Sequence, residues 1–217
     1  MILSGPEFKN QSLEKPKQLV LMLHGYGSNG ENLIDLASYF TDFLPDAYFI
    51  SPNAPHKFEM SNLAGGYQWF GLTSRDEDFM YTGIKQAAVI LNDYIDEQLA
   101  RFSLSEENLI LLGFSQGAMM SMHVAPRRNN KIAGVVAFSG ALIGGKTLPE
   151  EIISKPSMLL VHGDQDSVVS YDSMNNSLNI LKQNQIPAEG ITCKGLDHSI
   201  NMYGMNQAGS FMKQIIT

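Results

Sequence analysis

The sequence predicts an α/β fold in which a mainly parallel central sheet is flanked by helices on both faces. Short apolar runs recur along the chain, and such runs are typical of strands buried on both faces. Between them lie segments whose apolar residues repeat at helical spacing. Because alternating strands and helices build a parallel sheet covered by helices, we expect residues 1–217 to form one α/β domain.

The first half of the chain contains the less regular segments. Residues 1–17 carry two prolines and predict an edge hairpin or an irregular lead-in. A strand is predicted at 18–23, a loop with three glycines at 24–30, a helix at about 31–43 and a second strand at 48–51. The stretch 53–78 has no regular period. It is either a binding wall beside the site or a loop whose aromatic side chains cap the core.

The second half alternates regularly between predicted helices and strands. A long amphipathic helix is predicted from residue 78 to about 102, and a turn at 103–107 precedes an apolar strand at 109–112 and a further helix. The remaining predicted strands are at 131–139, 157–162 and 188–193, and the remaining helices are at about 171–185 and 201–216. A loop at 163–169 and a turn at 195–199 follow the last two strands.

Composition excludes several classes of partner. The chain is 44% hydrophobic and 17% charged with a net charge of -7, and its basic residues are scattered, so we expect no nucleic-acid partner. No apolar stretch is long enough for stable membrane insertion, and the N-terminus lacks the pattern of a signal peptide. The single cysteine, Cys193, fits a reducing compartment. These features predict a cytoplasmic protein.

The motif that indicates chemistry is G-x-S-x-G at residues 113–117, directly after the strand 109–112. A serine at a sharp strand-to-helix turn needs small neighbours, and Gly113 and Gly117 have no Cβ that would clash. The Ser115 hydroxyl is then exposed at the carboxyl edge of the sheet, where the next helix N-terminus favours developing negative charge. We predict that Ser115 is a nucleophile for acyl transfer.

A serine nucleophile needs a histidine base and a carboxylate that orients the histidine. Ligands bind beyond the carboxyl ends of parallel strands, so the candidates are polar residues that follow strands. His198 follows the last strand and gives the chain order serine, acid, histidine that accompanies this motif. Asp164 and Asp166 compete as the acid. Asp166 lies further into its loop and is favoured, whereas Asp164 is placed to fix the loop by an Asx-type turn.

The other polar residues near the strand ends are expected to serve packing or loop structure. His123 is expected to pack or to be solvated, and His56 to lie on the surface of the irregular loop, with substrate contact as the alternative. His162 is expected to shape the loop 163–169 that carries both candidate acids, the acid loop. Asp197 is expected to point away from the base.

The oxyanion of a tetrahedral intermediate needs preorganised donors. With a G-x-S-x-G turn these are the backbone amide after the nucleophile and one in the loop after an early strand, here the amides of Gln116 and Tyr26. The glycines at 24–30 let the backbone approach a substrate. A phosphate site is the weaker interpretation of this loop, because neither a P-loop ending nor the order G-x-G-x-x-G is present.

Four segments together resemble the phospholipase/carboxylesterase family of small α/β-hydrolases, which includes acyl-protein thioesterases and bacterial carboxylesterases. They read L-H-G-Y-G at 23–27, G-F-S-Q-G-A at 113–118, H-G-D-Q-D-S-V-V at 162–169 and G-L-D-H at 195–198. The resemblance implies an α/β-hydrolase fold without a large helical lid, and often a homodimer. It also implies that Ser115, Asp166 and His198 are nucleophile, acid and base.

The segment Y-Q-W-F at 67–70 resembles the family's aromatic segment near the acyl pocket. With the apolar content of this loop, it makes Leu63, Trp69 and Phe70 the predicted substrate-binding residues and an apolar acyl group the predicted ligand. Two positions depart from the family pattern. Tyr26 stands where many relatives have leucine, and its side chain is expected to narrow the pocket; Ser167 stands where relatives often have proline.

The sequence therefore predicts a serine hydrolase that cleaves carboxylic esters through an acyl-enzyme on Ser115 and needs no metal or organic cofactor. A short-chain ester, a lysophospholipid and an S-acylated protein stay open as substrates. Acyl transfer to an alcohol and peptidase action use the same three residues. The alternative outside catalysis is a ligand-binding protein on a hydrolase scaffold.

Overall fold

A computed structural model describes residues 3–59, 65–74 and 76–216, and a mixed but mostly parallel sheet runs through the described part of the chain. The strands are β1 (Glu7–Lys9), β2 (Gln18–Leu23), β3 (Ala47–Ile50), β4 (His56–Lys57), β5 (Tyr67–Gln68), β6 (Leu109–Phe114), β7 (Gly134–Phe138), β8 (Ser157–Gly163) and β9 (Ala188–Cys193). The helices are α1 (Gly30–Ile34), α2 (Ala37–Phe40), α3 (Glu77–Phe102), α4 (Gln116–Val124), α5 (Leu148–Glu151), α6 (Asp172–Gln183) and α7 (Met202–Ile215).

The central sheet has the order β1-β3-β2-β6-β7-β8-β9. Only the edge strand β1 is antiparallel to its neighbour, β3. The carboxyl ends of β2, β6, β8 and β9 therefore meet along one edge of the sheet, and the predicted site residues follow these strands. The described ranges contain no separate lid subdomain over that edge.

Both faces of the sheet are buried, as the apolar runs predict. In β2, Leu19 and Leu21 pack in a core with residues of α3, α4 and α6, whereas Val20 and Met22 pack in a second core with residues of α1, α2 and α7. Successive strand residues point to opposite faces, so a strand between two helical layers needs an apolar residue at every position. None of the helices in the described ranges is long and apolar enough to span a membrane.

The structure differs from the sequence predictions at three places. The helix predicted at 31–43 is two short helices, α1 and α2, because the chain tightens into a turn in which the Leu36 amide donates to the Leu33 carbonyl at 3.2 Å. The loop 53–78 contains a small antiparallel hairpin of β4 and β5. The short helix α5, which contains Pro149 in its first turn, was not predicted.

Candidate active site

Ser115 lies between β6 and α4 in a strained backbone conformation, with φ 54° and ψ −115°. Such a conformation at a non-glycine residue costs of the order of 1–3 kcal/mol and persists only where the surroundings enforce it. Here the Ser115 amide donates to the Phe138 carbonyl at 2.9 Å. A Cβ at Gly117 would lie 1.8 Å from the Leu23 carbonyl oxygen, so only glycine allows the helix to start this close to β2. The turn therefore aims the serine side chain at the sheet edge.

The structure brings the three predicted triad residues together in one hydrogen-bonded chain. His198 Nδ1 lies 2.7 Å from Asp166 Oδ2, and His198 Nε2 lies 3.0 Å from Ser115 Oγ. Because a carboxylate only accepts, Nδ1 carries the proton and donates to Asp166, which leaves Nε2 free to accept from the serine hydroxyl. The Phe114 ring packs against the imidazole with ring centroids 4.9 Å apart.

Asp166 is held by its own loop. Its Oδ1 accepts from the amides of Val168 and Val169, each at 2.9 Å, and its side chain is fully buried. Burial alone would raise the pKa of this carboxyl, but the hydrogen bonds from His198 and the two amides outweigh it and lower the pKa below its usual value. Asp166 is therefore a fixed, ionised partner for the imidazole.

Asp164, the competing acid, lies away from the imidazole. Its Oδ1 accepts from the Gly195 amide at 2.6 Å and so ties the acid loop to the turn that carries His198. The prediction that Asp164 makes an Asx-type turn is wrong: Asp166 makes that turn through the Val168 amide. The physical reason is that the β8 and β9 ends are adjacent, which offers Asp164 a backbone donor on the neighbouring turn.

The remaining histidines have separate environments. His123 is buried, with Nδ1 3.3 Å from the Ile143 carbonyl, and His56 is exposed on β4. Burial lowers the pKa of His123 to about 4, so this side chain is neutral near pH 7. His162 lies beneath the acid loop, with Nε2 2.9 Å from the Val169 carbonyl oxygen. Asp197 bonds within its own turn, to the Ser199 hydroxyl at 2.8 Å.

The two backbone amides predicted as oxyanion donors belong to the residue after Ser115 and to the residue after Gly25. Gln116 is the first residue of α4, so its amide has no acceptor within the helix. The loop before Tyr26 packs directly on the nucleophile, because a Cβ at Gly25 would lie 3.3 Å from Ser115 Cβ. The described residues include no group of three or more His, Cys, Asp or Glu side chains that could hold a metal ion.

Comparison with known proteins identifies the family of the chain. Residues 8–216 match the family model described as Phospholipase/Carboxylesterase. The chain belongs to the phospholipase/carboxylesterase family. It is 31% identical over 189 residues to Acyl-protein thioesterase 1 homolog 1 of Dictyostelium discoideum, which covers 82% of each chain. It is 28% identical over 163 residues to Esterase YpfH of Escherichia coli (strain K12), covering 75% of this chain and 68% of that protein.

A solved structure extends the likeness to the whole fold. The crystal structure of esterase PE8 superposes with a TM-score of 0.93 at 35% identity, covering 99% of this chain and 100% of that one. The resemblance and the α/β-hydrolase fold predicted from the sequence are thus confirmed. As a member of this family, the chain is an enzyme of the carboxylesterase and thioesterase class of hydrolases, which act on ester or thioester bonds.

The predicted substrate-binding residues of this family member lie in different surroundings. Trp69 is fully buried, and its Nε1 donates to the His24 carbonyl at 3.0 Å. Phe70 is nearly buried, and both residues border a surface cavity of about 430 Å³ whose rim includes His56 and Phe79. Leu63 lies outside the described residues.

Tyr26 contributes more than its backbone amide. Its ring packs edge-on against Phe58, with centroids 4.9 Å apart, and its hydroxyl donates to Glu59 Oε1 at 2.9 Å. Burial and the Glu59 hydrogen bond raise the pKa of this phenol to about 12. The side chain therefore links the glycine loop 24–30 to the loop that carries Phe58 and Glu59.

Sequence reasoning missed the side chain of Gln116. This side chain is fully buried; its Oε1 accepts from the Trp69 amide at 2.8 Å and its Nε2 donates to the Phe70 carbonyl at 2.7 Å. In this phospholipase/carboxylesterase, the amide group of one side chain thus provides the hydrogen-bond partner of both the Trp69 amide and the Phe70 carbonyl. No sequence pattern pairs residue 116 with residues 69 and 70, although a polar residue at a buried helix start is a signal that a partner is required.

Proposed function

We propose that the protein hydrolyses carboxylic esters and thioesters with an apolar acyl group through an acyl-enzyme on Ser115. The observation that carries the proposal is the hydrogen-bonded chain from Asp166 through His198 to Ser115, with separations of 2.7 and 3.0 Å. A serine next to a histidine whose other nitrogen is held by a buried carboxylate is the arrangement that activates a hydroxyl for acyl transfer.

In the first step, Ser115 Oγ attacks the carbonyl carbon while His198 Nε2 takes the hydroxyl proton. The carbonyl oxygen becomes an oxyanion that accepts from the Gln116 and Tyr26 amides, and the positive end of α4 favours the same charge. When the tetrahedral intermediate collapses, the bond to the leaving oxygen or sulfur breaks. The leaving group departs with the proton from His198, and the acyl group remains on Ser115.

In the second step, water replaces the leaving group. His198 accepts a proton from the water as its oxygen attacks the acyl carbon, and a second tetrahedral intermediate forms at the same donors. Its collapse returns the proton to Ser115 Oγ and releases the carboxylic acid. Asp166 stays ionised throughout and stabilises the imidazolium that forms in each step.

The substrate class is supported from two sides. Relatives are named as an acyl-protein thioesterase and an esterase. Thioesters and esters share an acyl carbonyl and differ in the leaving group. The aromatic residues Trp69 and Phe70 border a cavity of about 430 Å³ whose other lining residues come from the loop 53–78 and from α3. Aromatic side chains at such a cavity favour an apolar acyl chain. We therefore extend the proposal to S-acylated peptides as thioester substrates.

The test is release of p-nitrophenol from acyl esters of increasing chain length by the wild-type protein and by Ser115→Ala. We expect kcat to fall by about 10⁴-fold or more in the variant. Ser139→Ala is the matched control, since Ser139 is also buried at a strand end with positive φ but has no contact with His198. A fluorophosphonate should add its mass to the wild type and not to Ser115→Ala.

Two results would contradict the proposal. Full activity in Ser115→Ala would assign the chemistry to another group. A wild type that neither cleaves any ester or thioester of the series nor reacts with the fluorophosphonate would favour a binding protein on a hydrolase scaffold.

A further inference from the structure

A second histidine lies against the carboxylate of the triad. His162 Nε2 is 3.1 Å from Asp166 Oδ2, the same oxygen that His198 contacts at 2.7 Å. Both the His162 and the Asp166 side chains are almost completely buried, with exposures of 1% and 0%. One carboxylate oxygen therefore has two imidazoles as neighbours, and both Asp166 and His162 are closed to solvent.

The orientation of the His162 ring follows from its second contact. Nε2 also lies 2.9 Å from the Val169 carbonyl oxygen, which only accepts, so Nε2 carries a proton and donates to it. The Val169 amide in turn donates to Asp166 Oδ1 at 2.9 Å. His162 thus lies against the carboxylate at Oδ2 and is linked indirectly to Oδ1 through the backbone of Val169, whose carbonyl accepts from His162 and whose amide donates to Asp166.

The ring itself is held in place from the far side. Its edge faces Tyr171, with ring centroids 6.2 Å apart, and the Tyr171 hydroxyl pairs with Thr192 Oγ1 at 2.6 Å. His162 is also the penultimate residue of β8, directly before the loop that carries Asp166. It has little room to move independently of the sheet.

We infer that His162 is a positioning residue that holds Asp166 Oδ2 toward His198. This inference depends on the proposed function, because it assigns to His162 the alignment of a base for the Ser115 nucleophile. The Nε2–H is directed at the Val169 carbonyl, and its positive end also lies beside the buried carboxylate oxygen 3.1 Å from Nε2, which favours one rotamer of the carboxyl group. Misalignment of the base lowers kcat, whereas KM depends on contacts with the substrate, which His162 does not make in this proposal.

The test compares His162→Leu, which fills a similar volume without a donor, with His162→Gln, whose side-chain amide can return an N–H close to the position of Nε2. For His162→Leu we expect kcat on p-nitrophenyl esters to fall about 10- to 100-fold with KM within about twofold. His162→Gln should recover most of this loss. The matched control is His123→Leu, which removes another buried histidine that contacts a carbonyl but lies away from Asp166.

A pH profile separates positioning from general loosening of the fold. The pair formed by His198 and Asp166 is contacted by Ser115, Phe114, His162 and the amides of Val168 and Val169. None of these contacts is a lysine, an arginine or a second carboxylate. Removal of the His162 N–H concentrates negative charge on the oxygen that faces His198. The acid limb of kcat/KM should therefore move to higher pH in His162→Leu and return toward its wild-type position in His162→Gln.

The outcomes are distinguishable. The inference is overturned if both His162 variants keep the wild-type kcat, or if both lose kcat equally. It is also overturned if kcat falls without any movement of the acid limb, or if His123→Leu loses as much kcat as His162→Leu. Ser115→Ala is measured in the same series. If that variant retains activity, the proposed function fails, whereas an inactive Ser115→Ala with unaffected His162 variants contradicts only the role of His162.

Discussion

Replacement of Gln116 by leucine tests whether the residue after the nucleophile has a structural role separate from its backbone amide. The change keeps the side-chain volume and the backbone N–H but removes both hydrogen bonds of the side chain. The Trp69 amide and the Phe70 carbonyl, which the side chain contacts at 2.8 and 2.7 Å, then lose their partner in a buried region.

The magnitude follows from the two buried groups. A buried donor or acceptor left without a partner costs about 1–3 kcal/mol, so Gln116→Leu should lower the free energy of unfolding by about 2–6 kcal/mol. This is a large part of the roughly 5–15 kcal/mol that stabilises a typical domain. For a chain of this size, each kcal/mol lowers the Tm by about 2–4 °C, so we expect a fall of at least about 4 °C.

Urea unfolding and esterase assays give the two readouts. Gln98→Leu is the control, because Gln98 is also a buried glutamine, yet its Oε1 accepts only from Arg101, which keeps Glu7 as a partner. For Gln116→Leu, kcat on an acetate ester should stay within about tenfold of the wild type, since the backbone donor remains. A Gln116→Leu protein as stable as Gln98→Leu would refute the reasoning.

Three further predictions concern acid stability, the loop contact and backbone strain. Burial lowers the pKa of His24 and of His123 to about 4, below the ordinary value of 6.5, so the unfolded chain binds more protons between these pH values and stability falls on acidification. Between pH 7 and pH 4.5, the free energy of unfolding of His123→Leu, measured in urea, should therefore fall by about 2–3 kcal/mol less than that of the wild type. An equal fall in both proteins would contradict this. Asp164→Ala, which loses the Gly195 contact, should lower kcat/KM about tenfold, and Asp164→Asn, which keeps an acceptor, should not; equal loss in both would refute a role for that contact. Ser115→Gly should be more stable than Ser115→Ala by about 1 kcal/mol, because glycine adopts φ 54° without strain; the two midpoints in urea decide it.

The sequence carries most of the fold because strand runs and helix periods are local signals. Each central strand is buried on both faces, and apolar runs such as residues 109–112 record that burial directly. The errors fall where local signals compete. Residues 33–40 keep a helical spacing of apolar side chains, yet the chain divides into α1 and α2, so the pattern gives the buried face but not the continuity of the hydrogen bonds.

The proximity of the three predicted triad residues could be inferred from the sequence, because the G-x-S-x-G motif and the order of the strands are both visible as local patterns. Ser115, Asp166 and His198 each follow a strand, and strand ends meet at one edge in a parallel sheet. The contacts of Gln116 and His162 were not predictable in the same way. They join a side chain to backbone groups of a loop, and the position of a loop depends on packing that no short pattern records.

The sheet order places the loop after β8, which carries Asp166, within reach of Ser115. Ser115 follows β6, and β8 is two strands away, with β7 between them. Two strand spacings are about 10 Å, and the side chains of Ser115 and Asp166 bridge this distance together with the imidazole of His198 and its hydrogen bonds of 3.0 and 2.7 Å. The end of β7 also joins the two sides, since the Phe138 carbonyl accepts from Ser115 and the Ser139 amide donates to the Val161 carbonyl. The spacing between Ser115 and Asp166 is therefore set by backbone hydrogen bonds of the sheet, and the groups that contact the Asp166 carboxylate set only its final direction.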